Sequence, residues 1–397
     1  MLSRRNFLSV GAGGLAGISA LPLSAASHKE RLTITKVELF RVCPPLQEGV
    51  LAKSDTNDFD KVPKFMLKVH TDSGIVGLGE TGRFAGGPNS AVAVQLRRAA
   101  AALVGHNVLD FYLPNLQLPV NSDNMAFEVA FYDIIGKAVG WPVWRLLGGL
   151  GQRKVVVHYW IGKGLSPEEL RHAAQRAVAL GFDGIKMKRI VPLAPALDAI
   201  YSVSPKLKMT VDLMGYYPGE VRSLLKEMDA IGNVLVLEDP PPYNLAALPQ
   251  SQIADGLAAY HKWSQETKIP IAIHLYVNRY KERGMVDATA AEACSVFNLD
   301  APNMQEWVGD AYFAGAVGKA VYRASAHELG VLDAAMLHAC AAAPNCTYPS
   351  DILSFERVNN LLVKPLEREG SYYIVSDKPG LGVELDMDAV KRYEART

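Results

Sequence analysis

Gly181–Lys188 (GFDGIKMK), Leu207–Leu213 (LKMTVDL) and Val234–Asp239 (VLVLED) decide the fold of this chain. Each is a short run rich in β-formers that ends on charged residues, and helix-like stretches separate them, which is the texture of parallel β/α units. The same pattern recurs at Val155–Trp160, Pro270–Leu275 and Cys294–Asp300, with helices predicted over Pro167–Leu180 and Glu220–Ile231. The first of these helices opens on Ser166-Pro167-Glu168-Glu169, where a serine cap and a proline at the first helical position suit the unpaired amides. Six units in series predict an α/β fold closed into a TIM-like (β/α) barrel rather than an open sheet.

Upstream the texture is different. Thr33–Val42, Phe65–His70 and Ile75–Thr81 read as antiparallel strands, the last two joined by Thr71-Asp72-Ser73-Gly74. Helices follow at Ser90–Val104 and Ala126–Val139, the second stopped by Gly140 and Pro142. This predicts an α+β capping domain over 30–150, the barrel over 151–365, and a segment 366–397 that returns to the cap through short strands at Ser371–Val375 and Gly380–Leu385. Leu51–Lys61 and Arg83–Asn89 are polar and patternless, as surface loops are.

Acidic and basic residues balance at 41 each, and no dense basic run lies beyond the extreme N-terminus, which excludes a nucleic-acid or lipid footprint and points to a small-molecule partner. Ser3-Arg4-Arg5-Asn6-Phe7-Leu8, a weakly apolar stretch interrupted by Gly11, Gly13, Gly14 and Gly17, and Ser24-Ala25-Ala26 resemble a twin-arginine signal peptide over 1–26. That resemblance implies export, already folded, from a bacterial cytoplasm to an extracytoplasmic or periplasmic place, with no membrane association beyond the signal. Cys43, Cys294, Cys340 and Cys346 lack metal-site spacing, and whether Cys340 and Cys346 form a bridge is a question of geometry.

In a parallel barrel the chemistry sits at the C-terminal strand ends, here Lys186 and Lys188, Asp212, Glu238, His274 with Leu275, and Asp300. Residues i and i+2 of a strand share a face, so both lysines are expected in the barrel mouth, where two ammonium groups depress each other's pKa and one can act as a base. The plainer alternative is a solvated pair at the strand's tail. Asp212 and Glu238 each close an apolar strand, and as neighbours beside the lysines they suit a hard dication such as Mg2+.

With these residues in place, the chain resembles the mandelate racemase and muconate lactonizing branch of the enolase superfamily. The resemblance rests on Gly77-Leu78-Gly79-Glu80-Thr81, on Phe127–Gly149 with its Leu146-Leu147-Gly148-Gly149 exit, on Lys186-Met187-Lys188, on Val211-Asp212 and Glu238-Asp239-Pro240, and on Pro379-Gly380-Leu381-Gly382-Val383. It implies proton abstraction beside a substrate carboxylate, Lys186 and Lys188 as catalytic residues, Mg2+ on Asp212 and Glu238, and a homo-oligomer.

Departures from the family pattern accompany it. Leu275 falls where the third acidic ligand is expected, His274 stands one residue off and faces away unless a kink brings it in, and Asp300 is a further source of oxygen. Met214 replaces a common Asn. The family's seventh strand is expected after Gly330, but Val331-Leu332 runs straight into the helix-like Asp333–Ala343, so that strand is predicted shortened or missing. His327 and His338 read as packing residues, which disfavours a Lys/His racemase and favours a dehydratase of a hydroxy-acid or sugar acid. The alternatives are a carboxylate-binding descendant that has lost catalysis, or a barrel enzyme with another metal or none that uses His158, Tyr159, His274 and the lysines.

Overall fold

In the computed structural model residues 32–395 are described, apart from 48–49, 51–62, 83–85, 163–164, 189–191, 217–218, 242–243 and 301. The signal-like segment 1–26, the loop 51–61 and the start of the loop 83–89 lie outside the described residues. No helix among the described residues is long and apolar enough to cross a membrane.

The N-terminal unit is a three-stranded antiparallel sheet of β1 (Ile34–Val42), β2 (Lys64–Thr71) and β3 (Val76–Glu80), joined by α1 (Ala91–Leu103) and α2 (Asn124–Val139). Helix α2 lies so close on β3 that a Cβ added at Gly77 would stand 2.2 Å from the Ala130 carbonyl oxygen, and one at Gly79 2.0 Å from that of Ala126. Glycine is required there by contact, since any side chain would push strand and helix apart. Gly140, at φ +71°, ends α2 in the left-handed conformation and leads through Pro142 into α3 (Val143–Leu146).

The second unit begins with β4 (Lys154–Val156) and continues as β5 (Tyr159–Ile161), α4 (Pro167–Ala179), β6 (Gly184–Lys188), α5 (Leu193–Tyr201), β7 (Lys208–Asp212), α6 (Val221–Ile231) and β8 (Val234–Glu238). It goes on through α7 (Ile253–Glu266), β9 (Ile271–Ile273), α8 (Leu275–Ala290), β10 (Val296–Leu299), α9 (Met304–Ala316), β11 (Ala320–Arg323) and α10 (Gly330–Ala342). Strands β5 to β11 form one curled sheet in sequence order, with all neighbours parallel. Its two edges are linked through the segment 346–351, where Cys346 bridges to Val321 and Ser350 to Val157. The expected capping of α4 is present: Ser166 Oγ accepts the Glu169 N–H, and the Glu169 carboxylate accepts the Ser166 N–H.

Two expectations need correcting. The seventh strand is short, at four residues, but it is present as β11 and lies before Gly330 rather than after it. Ala320-Val321-Tyr322-Arg323 has charged neighbours and too few apolar residues to stand out, while Gly330–Ala342 is a helix buried along its whole length. At the C-terminus, β12 (Arg368–Glu369) pairs with β13 (Tyr372–Ile374) and β13 with β4, not with the cap sheet. Gly380–Leu385 forms no strand; Gly380 exchanges backbone bonds with Trp141 and Val143 instead. The chain reaches the cap sheet itself after α11 (Met387–Arg392), where the Cys43 N–H donates to the Tyr393 carbonyl and the Ala395 N–H to that of Arg41.

Cap carboxylates hold the cap to the barrel. Glu80, at the end of β3, accepts the N–H groups of Leu329 and Leu332 at the start of α10, and Glu128 of α2 accepts those of Met304 and Gln305 at the start of α9. Each fills the unpaired amides of a helix N-terminus, where the helix dipole favours negative charge.

Candidate active site

A single parity governs the barrel interior. Val236, Ala272, Val296 and Tyr322 pack together inside it, so the residues two further along β8, β9 and β10 are Glu238, His274 and Asn298. Register places Lys186 beside Thr210 and Lys188 beside Asp212 on β6 and β7, and Asp212 beside Glu238 on β7 and β8. Both lysines therefore point into the mouth, as the i, i+2 argument requires.

Glu238, fully buried, is the hub. Its Oε2 receives the Lys186 ammonium at 2.9 Å and the Tyr322 hydroxyl at 2.6 Å; its Oε1 receives Asn298 Nδ2 at 2.9 Å and His274 Nδ1 at 3.0 Å. Burial alone would raise its pKa, but Lys186 and His274 outweigh burial and hold it well below the usual carboxylate range. Asp212 moves the other way: burial and the Glu238 charge raise it against the pull of Lys188. Asp212 Oδ1 accepts the Met214 N–H at 3.0 Å, while Oδ2 is buried with no hydrogen-bond donor and only the Lys188 ammonium 3.5 Å away.

Lys186 is buried and its Nζ also lies 3.5 Å from Asp351 Oδ2. Burial pulls its pKa down, but Asp351, Glu238 and Asp212 together push it above its ordinary value. The expected mutual depression of the lysines is thus overturned for Lys186, whose carboxylate neighbours keep it an ammonium. Lys188 keeps 22 % of its side chain exposed at the mouth, where a substrate can reach it. Asp351 Oδ1 contacts His158 Nε2; burial keeps His158 neutral, and Lys186 with His158 holds Asp351 ionised against its own burial.

The third-ligand expectation also changes. Leu275 is the first residue of α8 and does not replace a ligand. His274 occupies the inward position without a kink in the strand, because Ala272 and not Ile271 faces the interior. Asp239 orients it: at φ +42°, its carboxylate accepts the N–H groups of His274 and Leu275 at 3.0 and 3.1 Å. Oxygen or nitrogen atoms of Asp212, Glu238 and His274 lie within 4.8 Å of one another, a group able to hold a metal ion. The buried, donorless Asp212 Oδ2 fits such an ion, which would give that oxygen its partner.

Asp300 is not part of this group. It lies beyond the end of β10, exposed, with its N–H bonded to Asn278. Asn298, Tyr322 and Asp351 are the groups the sequence reading missed. Inward parity along β10 and β11 identifies the first two, whereas Tyr348-Pro349-Ser350-Asp351 carries no strand signal at all. His338 and His327 are structural, as expected: His338 bonds the Trp144 N–H and the Leu381 carbonyl, and His327 packs edge-on against Trp160 in the loop before α10. Cys340 and Cys346 are buried free thiols rather than a bridge, and Cys346 Sγ lies 3.5 Å from Ser350 Oγ.

A parallel barrel with an α+β cap and with lysines and carboxylates at successive strand ends defines a class of enzymes that remove a proton next to a carboxylate. The chain belongs to the enolase superfamily, in its mandelate racemase/muconate lactonizing branch: residues 169–389 match the family described as enolase C-terminal domain-like, and 36–148 match the mandelate racemase/muconate lactonizing enzyme N-terminal domain. It is 25% identical over 354 residues to a D-galactonate dehydratase of Klebsiella pneumoniae, covering 83% of this chain and 90% of the relative. An N-succinylamino acid racemase of Thermus thermophilus is 26% identical over 275 residues, covering 67% and 69%. A crystal structure of an enolase from Thermobispora bispora with magnesium and formate superposes with a TM-score of 0.68 at 24% identity, covering 91% of this chain and 92% of that one. Members of the superfamily are lyases, isomerases or racemases, and these likenesses support its proton-abstraction chemistry.

Proposed function

We propose that this chain is a metal-dependent dehydratase of a hydroxy-acid or sugar acid. The observation that carries the reading is the placement of an accessible Lys188 beside Asp212, in a mouth that also holds Glu238 and His274. Lys188 takes the proton α to the substrate carboxylate. Lys186, locked as a cation between Glu238 and Asp351, keeps positive charge where the substrate carboxylate gathers electron density. A dication held by Asp212, Glu238 and His274 supplies further positive charge there when bound. The hydroxyl on the adjacent carbon leaves with the abstracted proton as water, and the enol that remains from a 2,3-dihydroxy acid moves its O–H proton to C3 to give a 2-keto-3-deoxy acid. A dehydratase stands among the relatives, and what favours dehydration over racemisation is the lack, among the described residues, of an imidazole in the mouth placed as a second base: His158 is tied to Asp351 and His274 to Glu238.

The test is keto-acid formation from a panel of sugar acids with and without added dication. Lys188→Ala should lower kcat by about 10²–10⁴-fold while the folded protein still binds substrate; turnover unchanged in that variant overturns the reading. The N-terminal Arg4-Arg5 segment supports export by the twin-arginine route. Cell fractionation should find the protein outside the cytoplasm and, with both arginines changed to lysine, retained inside.

A further inference from the structure

We infer that the site selects a first-row transition dication such as Mn2+ over Mg2+, with His274 Nδ1 as a direct ligand. The inference rests on the metal-dependent reading above and concerns which ion that site takes.

The strand end on β9 supplies a nitrogen in place of an oxygen. Its position is built, not incidental: His274 keeps the inward parity of Ala272, and the buried Asp239 clamps its backbone N–H. Nδ1 and Glu238 Oε1 are 3.0 Å apart. Two donor atoms at that separation subtend roughly 90° at an ion about 2.1 Å from each, the angle between adjacent ligands of an octahedral ion. A dication placed between these two atoms would bind both. The third ligand atom comes from Asp212, whose Oδ2 is buried without a donor.

The surroundings leave the other groups in place. Glu238 Oε2 retains Lys186 and Tyr322, and Oε1 retains Asn298, so the carboxylate is oriented by hydrogen bonds as metal-bound carboxylates are. Mg2+ favours oxygen and gives up its waters reluctantly, whereas imidazole suits Fe2+, Ni2+, Cu2+ and Zn2+ best and Mn2+, softer than Mg2+, accepts it more readily than Mg2+ does. An imidazole in a three-residue site therefore weakens Mg2+ and strengthens its competitors.

The test uses the whole chain, stripped with chelator and titrated calorimetrically with MnCl2 and with MgCl2. The Mn2+-loaded protein is then examined by pulsed electron paramagnetic resonance for coupling to a ligand nitrogen. Mn2+ should bind more tightly than Mg2+ and show that coupling. His274→Gln should abolish the coupling and cut the Mn2+ over Mg2+ preference by at least about tenfold. Should the variant fail to fold, the nitrogen coupling in the unaltered protein decides the matter alone. Mn2+ bound without nitrogen coupling, or an undiminished preference in folded His274→Gln, overturns the inference and leaves the proposed function standing. Binding of neither ion overturns both.

Discussion

Glu238 meets four donors with the four lone-pair positions a carboxylate offers, and two of those donors carry or gain positive charge. A buried carboxylate is tolerable only on such terms, because an unpaired charge in the interior costs several kcal/mol. Removing one donor tests this. Tyr322→Phe keeps the ring and deletes a charge-assisted hydrogen bond, and should destabilise the protein by about 1.5–3 kcal/mol in urea unfolding. Lys188 contrasts with this hub: partly exposed, with Asp212 3.5 Å away, its loss should be felt in turnover far more than in stability.

Among the elements, β3 and α2 are held at a separation set by backbone contact. Gly79→Ala drives a Cβ to 2.0 Å from the Ala126 carbonyl oxygen, and the element pair must shift. The expected cost is about 1–3 kcal/mol, read as a lower urea midpoint. Gly309 is the matched opposite. It lies exposed in α9 with nothing within 4 Å of an added Cβ, so Gly309→Ala should stabilise by about 0.5–1 kcal/mol through helix propensity. The same glycine-to-alanine change therefore has opposite signs in a strand pressed against a helix and on an exposed helix face, and the space around Cβ decides which.

At the scale of the whole molecule, Glu80 and Glu128 dock the cap onto the helix N-termini of the barrel. Burial raises Glu80 to about 7 and Glu128 to about 8, against the pull of the backbone N–H bonds each accepts. A carboxyl whose folded pKa lies above its unfolded value near 4.5 binds its proton more tightly in the folded state. Its contribution to stability is thus complete below the unfolded pKa and is lost as pH rises through about 7 to 8. The share due to these two carboxyls falls between pH 5 and about pH 8.5, so in urea unfolding Glu128→Gln, which cannot titrate, should lose less stability than the unaltered protein over that range.

Local pattern was enough for the architecture: apolar runs closing on Lys186, Lys188, Asp212 and Glu238 specify their own strands, because alternation and strand-end charge are properties of a few consecutive residues. The glycines of Gly77-Leu78-Gly79 were equally visible, though their reason, contact with α2, was not. What only the tertiary structure decided was the membership of the site. His274 or Leu275 could not be chosen until Ala272 was seen to face the interior, since a one-residue change of parity exchanges the two. Asp300 drops out because the strand ends before it. Tyr322 and Asp351 join from β11 and the segment 346–351, whose position at the closing seam comes from partners far away in the chain and leaves no periodic mark on their own sequence.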